Sequence, residues 1–369
     1  GSSVTSFRRI GGKLWAPLGF VGVLCAFLIM TYYSTVGGWC LTYLFEAIMG
    51  NAASSDLAML EKTFLKTVST PVSAILYQTL FLAITAGVLI FGVNKGIERI
   101  SKVLMPLLFV LMIVLIIRGL TLPGAWEGLK FLFSPKWDQV TANSLLNAMG
   151  FTFFSLCVGC GCMMTYGSYL DDKTNVLRSC SWIAFLSVIA SIMGGLMIMP
   201  SVFAFGLDPT AGPGLTFITM PAVFAQMPMG QLFAVMFYLC LAVAAITSSV
   251  SMIEILVSYL VDEQKMSRPK AAVLSTIALA VVGILPCLSF GLLSDVKMFN
   301  GRTFFDVFDF FTSNLSLPLG GLVILYLAGY TCWDRVKNTA PEKWQWLLKL
   351  MLRVFSPILV LVVLISGLI

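Results

Sequence analysis

Three short stretches of this chain place hydroxyls, glycines and phenols inside long apolar runs. They are Thr31-Tyr32-Tyr33-Ser34-Thr35, the segment FFSLCVGCGCMMTYGSYL from Phe153 to Leu170, and Ala244-Ala245-Ile246-Thr247-Ser248-Ser249. Neutral hydroxyl and carbonyl oxygens suit one task well: they hold a dehydrated alkali cation without burying a charge, as carbonyl-lined filters do. Ser155, Gly159 and Gly161 sit in the middle of an uncharged run from Ala148 to Leu170. Glycine is a poor helix former, and every peptide group in lipid needs a partner within the protein. The Gly-x-Gly pattern therefore predicts a helix broken at mid-membrane, whose free N–H and C=O ends can hold an anion or a cation. For Thr247-Ser248-Ser249 the competing arrangement is a hydroxyl bonded back to the carbonyl four residues earlier. Tyr33 taken alone also fits a packed aromatic.

Other chemistries find little support. The chain has no His, which removes His-based metal sites, haem ligation and His proton relays. Cys157-x-x-Cys160-x-Cys162 has no His or carboxylate near it in the sequence and reads as small apolar side chains, not a metal cluster. No carboxylate pair or Ser–base pair falls at mid-membrane, so an intramembrane enzyme is not indicated. The acidic residues are few. Asp306 and Asp309 open one span, while Asp262 and Glu263 close another. They are either interfacial charges or salt-bridge partners that gate the two ends of a central site. Glu254 lies about two turns inside its span and must face protein or water rather than lipid.

The elements that position these residues are membrane helices. The chain of 369 residues is 59% hydrophobic and 11% charged, with a mean hydropathy of +0.95. No soluble domain of this size hides so much apolar surface. Continuous apolar runs, rather than alternating segments of about ten residues, exclude a β-barrel. The fold class is an all-α polytopic membrane protein forming one body over 1–369. Nine spans are read, at roughly 16–48, 73–93, 98–119, 142–170, 177–205, 230–262, 270–292, 304–332 and 344–369. The outer segment 206–228 has an apolar stretch too short to span and suits a re-entrant hairpin dipping into an outer vestibule. With the N-terminus inside, 16 of the 23 Lys and Arg residues fall on inner segments and seven on outer ones. This places the N-terminus in the cytoplasm. Net charge is +6, but no basic face survives in so apolar a chain, so nucleic acid is not a partner.

The order and spacing of these motifs resemble one family. RRIGGKLWAPLGF, TYYSTVGGW, FFSLCVGCGCMMTYGSYL, FAFGLDPTAGPGLTFITMP, AAITSSVSMIE and FDFFTSN are similar, in sequence order, to the neurotransmitter:sodium symporter family in its bacterial amino-acid-transporter branch. The resemblance runs from Arg8 to the C-terminus. It implies a leucine-transporter-like inverted-repeat fold, with the nine spans as family helices three to eleven. It also implies a multi-pass protein of the plasma membrane that uses sodium as its coupling ion and needs no cofactor. Its partners would be an amino acid, sodium and the lipid bilayer, with a homodimer left open.

By the same resemblance, Tyr33 corresponds to a tyrosine whose hydroxyl binds the substrate carboxylate, and Phe154 to an aromatic lid. Ser155 matches a ligand of a first sodium ion that also lies close to the carboxylate. Ala244 by its carbonyl, and Thr247 and Ser248 by their hydroxyls, match a second sodium site. Ile29, Cys157, Cys160, Ser248 and Met252 line the pocket by position. Asp309, with Asp306 near it, matches the outer gate, and Asp262 and Tyr169 match the inner gate. Several positions depart from the family pattern. Ser187 stands where an Asn or Asp usually ligates the first sodium. Phe151 replaces the Gln of chloride-dependent members. Cys160 replaces a bulkier side chain and leaves a roomier pocket, suited to a large hydrophobic or aromatic amino acid. The family's first two helices, which carry an Asn ligand, further carbonyl ligands and the outer-gate arginine, have no counterpart. The expectation is that the parent protein performs sodium-coupled amino-acid symport and that this fragment alone is inactive. The alternatives are a proton-coupled or uncoupled carrier of the same fold, or a non-transporting membrane protein derived from a transporter.

Overall fold

The computed structural model describes residues 1–171, 173–209 and 214–368, with the side chains of Asn94, Lys95 and Gln139 left out. Among the described residues every regular element is helical. Among the described residues, eight helical segments are long and apolar enough to cross a membrane. The ninth expected span, 142–170, is present as two half-helices.

The interior is built from two very long helices. After a short helix α1 (Ser3–Gly11) comes α2 (Ala16–Met49), 34 residues with a proline in its first turn and a left-handed Gly50 behind its end. At 1.5 Å per residue it is about 50 Å long, against an apolar layer of about 30 Å, so it must tilt or project. α3 (Leu57–Ser69) and α4 (Pro71–Ile90) follow, then α5 (Arg99–Leu120), α6 (Ala125–Phe133), α7 (Ala142–Ser155), α8 (Cys162–Gly167) and α9 (Val176–Ala204). The second half contains α10 (Met220–Gln226), α11 (Gly230–Asp262), α12 (Arg268–Leu288), α13 (Phe304–Phe310), α14 (Leu317–Tyr326), α15 (Trp333–Val336), α16 (Glu342–Leu350) and α17 (Ser356–Ser366).

α2 packs most extensively on α11, and α4 and α12 close the same bundle. Small residues permit the close approach, as they do between membrane helices generally. A Cβ on Gly37 would fall 2.5 Å from the Phe81 ring, and one on Gly38 2.9 Å from the Gln78 backbone. Two apolar clusters result. One surrounds the first half of α2 and the second half of α11, and takes in Cys160 and Cys162. The other surrounds Trp39, Tyr43, Phe217 and Tyr238 near the opposite end. Half of the most apolar stretch of α11 is buried, against 6% for α9. α9 therefore presents Trp182, Phe185 and Val188 outward, as a lipid-facing helix does.

The short connecting helices α3 and α6 fall outside the sequence-based spans. Asp56 caps α3 by accepting from the Ala58 and Met59 amides, and α6 packs along α9. In the expected hairpin 206–228, residues 210–213 lie outside the described residues, and Leu215–Gln226 forms a short apolar helix. Tyr238 of α11 donates to the Thr216 carbonyl at 2.9 Å and ties that helix to the bundle.

Candidate functional site

The site is organised by the interruption between α7 and α8. Cys157 takes φ +51, Gly159 φ +94 and Gly161 φ +79. Left-handed backbone costs an L-residue about 1–2 kcal/mol, which explains glycine at two of the three positions. Sterics make Gly159 irreplaceable. A Cβ there would fall 2.1 Å from the Leu317 carbonyl oxygen of α14, and a Cβ on Gly320 would fall 2.2 Å from the Gly159 oxygen. The break is thus held against α14 by contact between two backbones, with no side chain between them.

Three elements converge on it. Ile29 and Met252 are buried, from α2 and α11, in one cluster with Cys160 of the break. Tyr33 and Cys157 pack against the same cluster. The Tyr33 side chain lies against Ser248 and near Cys157. All eight residues expected to contact substrate come from α2, α11 and the end of α7 with its linker. Phe154, in the last turn of α7, is more than a third exposed and stands at the edge.

The expected ion ligands fall into two groups. Ser155 and Ser187, 32 residues apart on α7 and α9, have their hydroxyl oxygens 3.1 Å from each other. On α11, Thr247 donates to the Val243 and Ala244 carbonyls, each at 3.0 Å. This is the back-bonded arrangement that the sequence left open, and it uses the proton of the hydroxyl while its oxygen lone pairs stay available to a cation. Ser248 is exposed, whereas Ser249 is fully buried and bonded to the Ala245 carbonyl, turned away from the site. Among the described residues no group of His, Cys, Asp and Glu is arranged to hold a metal ion. The donor set is one of neutral oxygens, suited to an alkali cation.

Charged groups occupy the two ends. Asp309 is exposed, accepts from Ser313 at 2.9 Å and lies beside the Tyr32 hydroxyl. Asp306 is committed to helix capping. It accepts from the Thr303 amide at 3.1 Å, and Thr303 accepts from the Asp306 amide in return. At the other end Tyr169 donates to Glu254 at 2.7 Å rather than to Asp262. Glu254 is fully buried and forms an ion pair with Arg268, whose Nε also donates to the Leu89 carbonyl. Asp262 accepts from the Ser2 amide. Glu263 accepts from Thr5 at 2.7 Å and from Arg8 at 2.6 Å, so α1 is fastened across the end of α11. Burial raises the Glu263 pKa, but those two bonds and the charges of Arg8 and Lys265 outweigh it and hold the carboxyl below its ordinary 4.5.

Residues 55–369 match the family model described as the Sodium:neurotransmitter symporter family. The chain belongs to that family. The chain of MhsT, solved in complex with L-phenylalanine, superposes with a TM-score of 0.90 at 37% identity over 100% of this chain and 85% of its own. The uncharacterized sodium-dependent transporter YhdH of Bacillus subtilis (strain 168) is 42% identical over 310 residues, 84% of this chain and 68% of that protein. An uncharacterized sodium-dependent transporter of Haemophilus influenzae is 34% identical over 368 residues, 96% of this chain and 80% of that protein. The chain is therefore a multi-pass membrane transporter with the leucine-transporter fold, from a family of sodium-coupled solute symporters, and not an enzyme.

Two features of this symporter escape sequence reasoning. Glu254 stands out on its own as an intramembrane carboxylate, but its partner Arg268 is 14 residues on, across the turn between α11 and α12. The available signal is an arginine at the first position of the next span. The bonds from Thr5 and Arg8 to Glu263 join residues about 255 apart, and no local pattern announces them.

Proposed function

We propose that this symporter carries a neutral amino acid with a hydrophobic or aromatic side chain, driven by sodium, with the break between α7 and α8 at the substrate site. The observation that carries the reading is the meeting of an apolar cluster with neutral hydroxyls at a non-helical linker. Ile29, Cys157, Cys160 and Met252 would enclose the side chain. None of the residues gathered there is basic, so a substrate carboxylate would be balanced by the Tyr33 hydroxyl and by a sodium ion. That requirement supplies the coupling. Without the cation, burying the carboxylate costs several kcal/mol, so substrate binds well only to the ion-loaded form.

Ser155 and Ser187 are proposed as ligands of that ion. Ala244, Thr247 and Ser248 are proposed for a second, and Phe154 as the lid. Asp309 would act at the outer end, and Tyr169 and Asp262 at the inner. The excess of Lys and Arg on one set of loops supports a cytoplasmic position for α1, in a plasma membrane. The match to MhsT covers 85% of that chain, and the activity is proposed for the whole transporter, whose further ligands would come from the part of the family fold outside these residues. A proton-coupled carrier would need a free mid-membrane acid. Glu254, engaged by Arg268 and Tyr169, is poorly placed for that, which supports sodium.

Binding of labelled phenylalanine to purified protein tests the reading. Binding should rise with sodium and fail in potassium, and Tyr33→Phe should lower affinity by about tenfold to a hundredfold, the value of a hydrogen bond to a charged group. Equal binding in potassium would refute it.

A further inference from the structure

The thiols at the break have a chemistry that the transport reading leaves unused. Cys157 lies in the non-helical linker at φ +51, partly exposed, with Tyr33 close by. Cys160 and Cys162, the next cysteines along the chain, are buried. Cys160 Sγ donates to the Cys157 carbonyl at 3.3 Å, so its sulfur is folded back over the linker. All nine cysteines are free. Cys157 and Cys160 have Cys-x-x-Cys spacing within the non-helical linker between α7 and α8, and Cys162 opens α8. Of the three, Cys157 alone is not buried.

We propose that Cys157 undergoes thiol–disulfide exchange with low-molecular-weight disulfides that enter by the substrate route, and that Cys160 resolves the adduct into an internal Cys157–Cys160 disulfide that closes the pocket. The Cys157 thiolate attacks one sulfur of the small disulfide, whose S–S bond breaks to release one thiolate and leave a mixed disulfide on Cys157. The Cys160 thiolate then attacks the Cys157 sulfur and displaces the second small thiolate. The two protein protons pass to the two released thiolates. The small disulfide is reduced to two thiols while the protein dithiol is oxidised. The bridge pulls the Cys157 side chain from Tyr33 toward the buried sulfur and ties down the linker. The effect on uptake rests on the break being the substrate site, whereas disulfide formation does not.

The test treats the transporter in proteoliposomes with cystamine and maps peptides by mass spectrometry. The expected result is loss of two hydrogens from the segment holding Cys157 and Cys160, reversed by dithiothreitol and slowed by sodium plus phenylalanine. Uptake should fall about tenfold or more. Cys160→Ala should trap a cysteamine mixed disulfide on Cys157, and Cys157→Ala or Cys157→Ser should lose both products, each variant being compared with its own untreated sample. A protein that transports but forms neither the bridge nor an adduct on Cys157 overturns the proposal, as does a Cys157 variant that keeps the same fractional sensitivity. A Cys157–Cys162 bridge overturns the assignment of Cys160. If the bridge forms while no sample shows sodium-driven uptake, the thiol site stands and the transport reading fails.

Discussion

Replacing Arg268 with alanine should be far more damaging than removing the charge from its partner. Glu254 is fully buried and its carboxylate is held by two groups, the Arg268 guanidinium and the Tyr169 hydroxyl. Arg268→Ala leaves that carboxylate in the interior with the phenol alone. Stranding one member of a buried ion pair costs about 3–5 kcal/mol. Arg268 is 24% exposed, so water can partly replace it and the lower figure applies, about 3 kcal/mol. Glu254→Gln keeps an acceptor for Tyr169 and removes the charge that needed compensation, so its cost should be about 1 kcal/mol. The double variant should cost about 2 kcal/mol, less than Arg268→Ala alone, a coupling of about 2 kcal/mol between the sites. Thermal unfolding in detergent, followed by the fluorescence of the eight tryptophans, should rank wild type and Glu254→Gln together, then the double variant, with Arg268→Ala lowest. If Arg268→Ala unfolded with the wild type, or the two substitutions simply added, the pair would not be the support described.

Other perturbations have equally definite outcomes. Gly159→Ala should abolish folded protein in the membrane, because it adds left-handed strain and a collision with the Leu317 carbonyl. Gly194→Ala on α9, where nothing lies within 4 Å of the new carbon, should be tolerated, and recovery on size-exclusion chromatography separates the two. The depressed Glu263 pKa means that the bond from Arg8 contributes fully above pH 4.5 and is lost as the pH falls through the lower folded-state value. Hydrogen exchange in α1 should accelerate there, and Arg8→Ala should flatten that dependence. Cys160→Phe should fill the space proposed for a large side chain, weakening uptake of phenylalanine while sparing alanine, as competition between the two would measure.

Much of the fold was legible because hydropathy and helix length speak directly about lipid. The observed α11, Gly230–Asp262, coincides with its expected span, and the others agree within a few residues. The interruption near Gly159 was legible because glycine and the absence of charge act locally. α3 and α6 were missed. They are short connecting helices, and their sequences lack the long apolar run that marks a span. Distances across the fold leave no mark in residue spacing. Ser155 and Ser187 were put at one ion by the family resemblance alone, because their 3.1 Å approach depends on how α7 and α9 lie together and not on any local pattern. That Asp306 closes a cap on Thr303 was readable from a spacing of three, yet it was grouped with Asp309 because both acids open the same span.

Gradient-driven uptake bears most directly on the central claim. Proteoliposomes carrying the transporter should accumulate labelled phenylalanine against its gradient when sodium is high outside. Accumulation should collapse when sodium is equalised across the membrane or when Ser155→Ala removes a proposed ligand. Accumulation that proceeds unchanged with potassium in place of sodium, or with a proton gradient alone, would contradict it.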